Sequence, residues 1–316
     1  MPVNRRRRRL AALSLLSAGA LVTLGAVLLP YRPVIVSGAQ PPPGPYPMPA
    51  AVAGLRLHVF NTGMNRMSAL LVGEHRPWRP APAFVLEHPR EGLMVFDCGL
   101  STSVARDGES ALPVPMRWLF ESRGREGRTL DAQMREAGLE PARARWVIIS
   151  HLHGDHLGAA ASFEGAAFIG GRGTAGKVLG LSAPRWREVD FHDTRALPPF
   201  DAALDLFADG SVVLLRGGGH AREDVMALLA LPGGPVLLTG DAVVHREWLH
   251  SDNVERVAVD PQRAADVRNQ VRALLAARPD VTRLPGHELQ GAPGSRGDVT
   301  LHHPEWFEAE AWPLSP

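Results

Sequence analysis

The stretch Ile149–Gly158, ISHLHGDHLG, places three histidines and an aspartate within six consecutive positions, directly after the apolar, β-branched run Arg145–Ser150. A run of that kind reads as a buried strand, so the polar cluster is delivered at the strand's carboxyl end. In an extended segment residues two apart share a side, and His151 and His153 can therefore reach one ion. Asp155 and His156 follow a turn at Gly154 and can face a second ion close by. Imidazole nitrogen and carboxylate oxygen both suit zinc, which imposes little geometry of its own. A fold that satisfies this stretch must bring a strand end to an edge where metal can bind.

The rest of the chain alternates strand and helix signals. Strands are expected at 55–63, 83–89, 92–99, 145–150, 211–218, 224–231, 234–241 and 280–288, half of them ending in glycine or proline. Helical spacing appears in 113–122 and in 129–138, where Leu130, Met134 and Ala137 share a face and Gly138 stops the helix. A longer helix is expected from an Asp260 cap, with Pro261 in its first turn, to Ala277. Three further strand ends offer ligand-capable side chains beside glycine: His220 after LLRGGG, Asp241 after LLTG and His287 after LPG. Strand ends of this type are where α/β sheets deliver active-site groups. The segments GLMVFDCG and GPVLLTGD echo each other, each an apolar strand finishing on an aspartate beside glycine, and an internal duplication would account for this.

Composition limits the function classes. With 316 residues and 45% hydrophobic content the chain can bury the core of one large or two small domains. Of its 34 basic side chains six lie in residues 1–39, which hold no acid, so the remaining 28 face 33 acidic ones. That mildly acidic body has no basic stripe to neutralise phosphates, which argues against a nucleic-acid partner. Residues 1–39 read as a signal sequence or membrane anchor: Arg5–Arg9 precede Leu10–Leu29, a run without charge and long enough to span a bilayer. The arginines keep that end cytoplasmic, so the body is expected to be exported, either periplasmic or anchored in the inner membrane facing the periplasm. The arginine pair also suits a twin-arginine signal, and a cleavage site fits at Ala39. Residues 40–50 form a proline-rich linker, and residues 51–316 are the expected catalytic domain, with organised structure starting near Ala51. The single cysteine, Cys98, excludes an internal disulfide and reads as a small buried residue closing a strand.

HLHGDH, GGGH, LLTGDA and LPGH, in that order, resemble the metallo-β-lactamase superfamily over about residues 55–290. The resemblance implies an α/β fold, the four-layer αβ/βα sandwich, with the site at the edge between two sheets. It implies that His151, His153 and His220 hold one zinc, that Asp155, His156 and His287 hold a second, and that Asp241 bridges them. Asp97 in FDCG matches an early strand-end aspartate that hydrogen-bonds a ligand from behind. Within the superfamily the chain looks most like N-acyl homoserine lactonases. Those enzymes carry a tyrosine three residues after the bridging aspartate, where this chain has Val244. A glutamate in place of the cluster's second histidine marks the di-iron, oxygen-reducing branch, and His153 argues against it.

A dinuclear centre of this kind is expected to attack a small carbonyl substrate, a lactone or ester, with a metal-bridging hydroxide. Asp155 would orient the nucleophile and pass a proton to the leaving group. The two ions are expected to be zinc, although the same ligands accept iron or manganese. Competing expectations are a β-lactamase, thioesterase or phosphodiesterase of the same superfamily, and a non-catalytic metal-binding envelope protein. His58, His75, His88, His192, His302 and His303 lack the strand–glycine context and read as ordinary side chains. His245 and His250 are candidates to line the substrate pocket, and Trp118, Phe120 and Trp186 to wall it. Membrane association is expected through residues 10–29, and the oligomeric state is left open.

Overall fold

The computed structural model of the chain describes residues 31–73, 75–178, 185–290, 292, 294–308 and 311–312; the arginine cluster and the apolar leader lie outside them. Among the described residues no helix is long and apolar enough to cross a membrane. The strands, in chain order, begin with β1 (Val34–Ile35), β2 (Arg56–Met67), β3 (Arg79–His88), β4 (Gly92–Phe96), β5 (Phe120–Arg123), β6 (Ala144–Ile148), β7 (Ala167–Gly171) and β8 (Arg185–Val189). They continue with β9 (Arg195–Leu197), β10 (Phe200–Asp205), β11 (Val212–Arg216), β12 (Val225–Leu229), β13 (Val236–Leu238), β14 (Asn253–Val254), β15 (Thr282–Leu284) and β16 (Val299–Leu301).

One sheet has the order β16-β2-β3-β4-β6-β7-β8, with β5 on the far half of β2; the other has the order β15-β13-β12-β11-β10-β9. The sheets face each other because their strands are apolar on both sides, which requires cover on both. In β4, Met94 and Phe96 enter the layer between the sheets, while Val95 packs outward against Leu130, Met134 and Phe163. In β12, Val225, Ala227 and Leu229 face the first sheet, while Met226 and Leu228 face the helix Pro261–Ala277 through Val267, Val271 and Leu274. The period-2 alternation thus sorts each strand between an inner and an outer core. Helix, sheet, sheet and helix make the four expected layers. The helix Pro261–Ala277 begins where the cap requires, with the Asp260 side chain accepting the Arg263 N–H.

Local departures from the sequence expectations have physical causes. β2 does not stop at Gly63: the glycine is a bulge, where the register against β3 shifts between Asn61 and Met64. Gly63 has a φ of 154°, and a Cβ there would collide with Leu100 and the Arg123 carbonyl. β3 likewise starts earlier than Ala83. Pro80 and Pro82 are tolerated because β4 pairs only with Phe84–His88, so no ladder bond is demanded of them on that side. The helix expected over 113–122 is confined to Val114–Arg117; the residues after it extend as β5 and pair with Met64–Met67. Tertiary pairing outweighs local propensity there.

Organised structure begins well before Ala51. β1 pairs with β14, and the following chain runs along the helix Pro261–Ala277. Arg268 donates to the Val36 carbonyl, Asn269 to the Gly38 carbonyl, and Ala39 N–H to Asp266. Tyr46 is buried against Val267, Val271 and Leu274, so the proline-rich stretch is packed and not free.

Candidate metal centre

Four connections at one edge of the two sheets converge. β6 ends at Ile148, and the loop after it carries His151 and His153; the short helix Gly154–Leu157 carries Asp155 and His156. His220 lies in the turn between β11 and β12, Asp241 in the turn after β13, and His287 in the loop after β15. All seven sequence-proposed residues are brought together, in two groups. Single ligand atoms of His151, His153, His220 and Asp241 lie within 4.8 Å of one another, and so do those of Asp155, His156 and His287.

Asp241 stands between the groups. Its Oδ2 is 3.3 Å from His287 Nε2, 3.4 Å from His220 Nε2 and 3.9 Å from His151 Nε2, and its Oδ1 is 3.5 Å from His156 Nε2. Asp155 Oδ2 is 3.3 Å from His287 Nε2. A residue larger than glycine at 286 would collide with the Asp241 carboxylate, so the glycine before His287 permits this approach.

The imidazoles are oriented from behind. Ser150 Oγ donates to Asp97 Oδ2 at 2.7 Å, so it accepts from His151 Nδ1 at 3.0 Å. His156 Nδ1 donates to Asp97 at 2.8 Å, His287 Nδ1 to the Pro80 carbonyl at 2.8 Å, and His220 Nδ1 to Glu255. With Nδ1 committed as a donor, the neutral form of each ring turns an Nε2 lone pair inward. His153 presents Nδ1 instead, 2.9 Å from His220 Nε2. Two inward lone pairs at that distance repel unless a cation separates them. His151 Nε2, His156 Nε2 and Asp241 Oδ1 are buried without hydrogen-bond partners. Such atoms are costly unless a ligand satisfies them, so the donor set fits divalent metal.

The electrostatics agree. Burial holds the His151 and His153 imidazoles below the usual histidine value. Burial also opposes charge on His220 and His287, but Glu255 and Asp241 beside the first, and Asp241 and Asp155 beside the second, outweigh it and push both up to about 10. In the metal-free chain protons take the place that this concentration of negative charge offers to a cation. Burial disfavours charge on Asp155 and Asp241 too, yet the surrounding histidines hold both carboxyls below the usual range.

Asp97 sits where the sequence put it, at the end of β4, in a left-handed conformation with φ 58°. It accepts the Ser150 N–H at 2.7 Å as well as the two side-chain donors, tying β4 to the cluster. Sequence reading missed Glu255 and Asn65, whose Nδ2 donates to Asp155 Oδ2 at 2.7 Å. Asn65 lies beyond the bulge that reads as a strand end, and Glu255 follows a two-residue strand with no motif around it. Asp224 was also missed: it accepts the Ala221 N–H at 2.8 Å, bracing the turn of His220, and burial raises its acid to about 7.

Other candidates take ordinary roles. Cys98 is fully buried, and burial raises its thiol. His245 is buried, and burial with Arg79 nearby lowers it to about 2; His250 is exposed. Trp186 stacks on Phe168 at 5.5 Å and donates to Thr174, so it belongs to the outer face of the first sheet and not to a wall over the site. Val244 is buried and its carbonyl accepts the His287 N–H at 2.8 Å. A cleft of about 260 Å³ opens beside His287, lined by His75, Trp78, Arg79, Arg246 and Glu288 among others. Arg79 pairs with Glu247 at 3.5 Å and Arg246 with Glu288 at 2.8 Å.

The metallo-beta-lactamase superfamily profile matches residues 76–287. The N-acyl homoserine lactonase AttM of Azorhizobium caulinodans is 30% identical over 181 residues, 52% of this chain and 65% of the relative. AttM of Agrobacterium fabrum is 28% identical over 234 residues, 66% of this chain and 82% of the relative. The chain thus spans just under two thirds of the length of the first of these. B. thuringiensis AiiA with N-decanoyl-L-homoserine bound at the active site aligns with a TM-score of 0.63 at 18% identity, covering 79% of this chain and 98% of that one, a likeness of fold. With the profile covering most of the chain and the His/Asp groups assembled at the edge of its two sheets, this chain belongs to the metallo-beta-lactamase superfamily of metal-dependent hydrolases.

Proposed function

We propose that the protein hydrolyses a small carbonyl substrate, an N-acyl homoserine lactone in the first instance, at two zinc ions. His151, His153 and His220 would hold one ion, Asp155, His156 and His287 the other, and Asp241 would bridge them. The observation that carries this reading is the position of Asp241, within 3.3–3.9 Å of one histidine nitrogen or another in both groups and with Oδ1 left without a partner. Iron or manganese suits the same donors. Bound there, such ions supply Lewis acidity for a carbonyl oxygen and a water that ionises near neutral pH, against about 15.7 in bulk.

The chain's own part is orientation and proton transfer. Asn65 fixes one Asp155 oxygen, and the Asp155 side chain is more exposed than those of His156, His287 and Asp241, so it is the carboxylate open to an incoming substrate. Asp155 orients the attacking oxygen and then carries its proton to the leaving alkoxide. The Asp155 carboxyl is held below the usual range in the metal-free chain, so it is ionised at neutral pH. Val244 offers no hydroxyl to the substrate, so any donor to the acyl carbonyl must come from elsewhere. The AttM relatives and the N-decanoyl-L-homoserine bound to AiiA support the lactone as first substrate.

The test is turnover by zinc-loaded protein, with and without chelator, on lactones, thioesters, β-lactams and phosphodiesters. Chelator-reversible lactone opening is expected. Turnover that survives complete metal removal, or confined to phosphodiesters, would contradict the reading.

A further inference from the structure

The large apolar side chains that stand exposed among the described residues are Ile35, Val114, Met116, Trp118, Val257 and Val259, with Ile35 at 71% and Trp118 at 69%. Scattered singly they would be unremarkable on any soluble domain. They fall in three segments, however, and each segment is tied to the same four-residue helix, Ala69–Val72. Four residues before Ile35, the Tyr31 ring packs against Gly73, close enough that a Cβ there would stand 2.9 Å from it. The Leu119 carbonyl, next to Trp118, accepts the Ser68 N–H at 2.8 Å. The Arg256 guanidinium, next to Val257, donates to the Leu70 carbonyl at 2.9 Å. The three segments therefore meet at that helix, and the part of the surface they share carries exposed apolar side chains from each.

The sequence shows what reaches this surface first. The uncharged run Leu10–Leu29 ends two residues before Tyr31, which is already docked on Gly73. Two residues of chain reach at most about 7 Å. A segment that occupies a bilayer would thus hold this surface against the headgroups with no slack. Beyond Tyr31 the chain remains pinned: β1 pairs with β14, and Val36, Gly38 and Ala39 bond to the helix Pro261–Ala277.

We propose that this surface seats on the lipid bilayer that holds Leu10–Leu29, with Trp118 as its interfacial anchor. Tryptophan favours the headgroup region, and the exposed Arg32, next to the docked Tyr31, suits anionic lipid. The surface borders the metal centre, since Glu255, which orients His220, directly precedes Arg256. An amphipathic substrate dissolved in the membrane would enter from that side.

The experiment uses the full chain in phosphatidylcholine–phosphatidylglycerol vesicles, with a fluorophore on Trp118→Cys, Val257→Cys or Arg90→Cys. Arg90 is the control, exposed at the turn before β4 and so at the strand end opposite Asp97. Cys98 is fully buried and leaves the labelling specific. Brominated lipid is expected to quench the labels at 118 and 257 several-fold more than the label at 90, independently of protein concentration. Equal quenching at all three positions would overturn the proposal. So would shielding of 118 and 257 in lipid-free detergent that grows with protein concentration, which would identify a second copy of the chain as the occupant. All three substitutions are at exposed positions, where effects on folding are small.

Discussion

The first sheet supplies four of the candidate ligands from one six-residue stretch, whereas the second supplies three from turns that are far apart in the chain, at His220, Asp241 and His287. The contiguous half is braced within its own sheet, by Asp97 and Ser150. The dispersed half is braced by whatever the fold brings near: Glu255 for His220, and for His287 the Pro80 carbonyl, which belongs to the first sheet. Neither half makes a complete group, because each of the two clusters takes residues from both. The comparison teaches that a local motif can announce a metal site while the closed sandwich is what completes it. A ligand's worth should then follow how many groups depend on it and not how conspicuous it is in the sequence.

The strongest way to break that comparison is Asp241→Asn, which removes the one carboxylate that faces both clusters. Turnover should disappear and metal content should fall below two ions per chain, read by elemental analysis; two ions retained would show that the dispersed half is not limiting. Asp155→Ala should lower turnover by about 10²–10⁴-fold. It should empty the cluster of His156 and His287 while the ion at His151, His153 and His220 stays, so a loss of both ions at once would show that the groups are not separable.

Asp97→Asn and Glu255→Gln sharpen the contrast between the two kinds of bracing. Each should weaken metal affinity roughly 10–100-fold. Asp97→Asn should act most strongly on the ion near His156, which Asp97 holds directly, and more weakly, through Ser150, on the ion near His151, whereas Glu255→Gln should act on the ion near His220, as resolved by competition with a chromogenic chelator. Equal effects on both ions from either variant would remove the distinction.

The smallest effect concerns the metal-free protein. His220 and His287 are each raised to about 10, so the stability they contribute is complete below about pH 6.5 and is lost as pH rises through 10. Chelated protein should therefore unfold at lower urea at the alkaline end of that window than at its acid end, and bound zinc should flatten the difference. A midpoint that rises with pH would contradict the charge balance described for the site.

Much of this was legible because it rests on short-range rules. The period-2 strands, the Asp260 cap, the strand-end glycines and the HLHGDH cluster each follow from residues a few positions apart. What was not legible depends on distant partners. Gly63 looks like a strand end and is a bulge, because Leu100 and Arg123 crowd it from other segments. Residues 120–122 carry helical spacing and become part of a strand because β2 offers an edge. Residues 34–50 look like leader and linker, yet the helix Pro261–Ala277 binds them more than two hundred positions away. Asn65 and Glu255 have no signature at all, since their value comes only from standing beside Asp155 and His220.

The most direct test is anomalous diffraction from crystals of the metal-loaded chain at the zinc, iron and manganese edges. Two peaks are predicted, one about 2.0–2.2 Å from nitrogens of His151, His153 and His220 and the other equally close to Asp155, His156 and His287, with Asp241 reaching both. A single peak, or a second peak outside those residues, would contradict the shared centre on which the proposed chemistry stands.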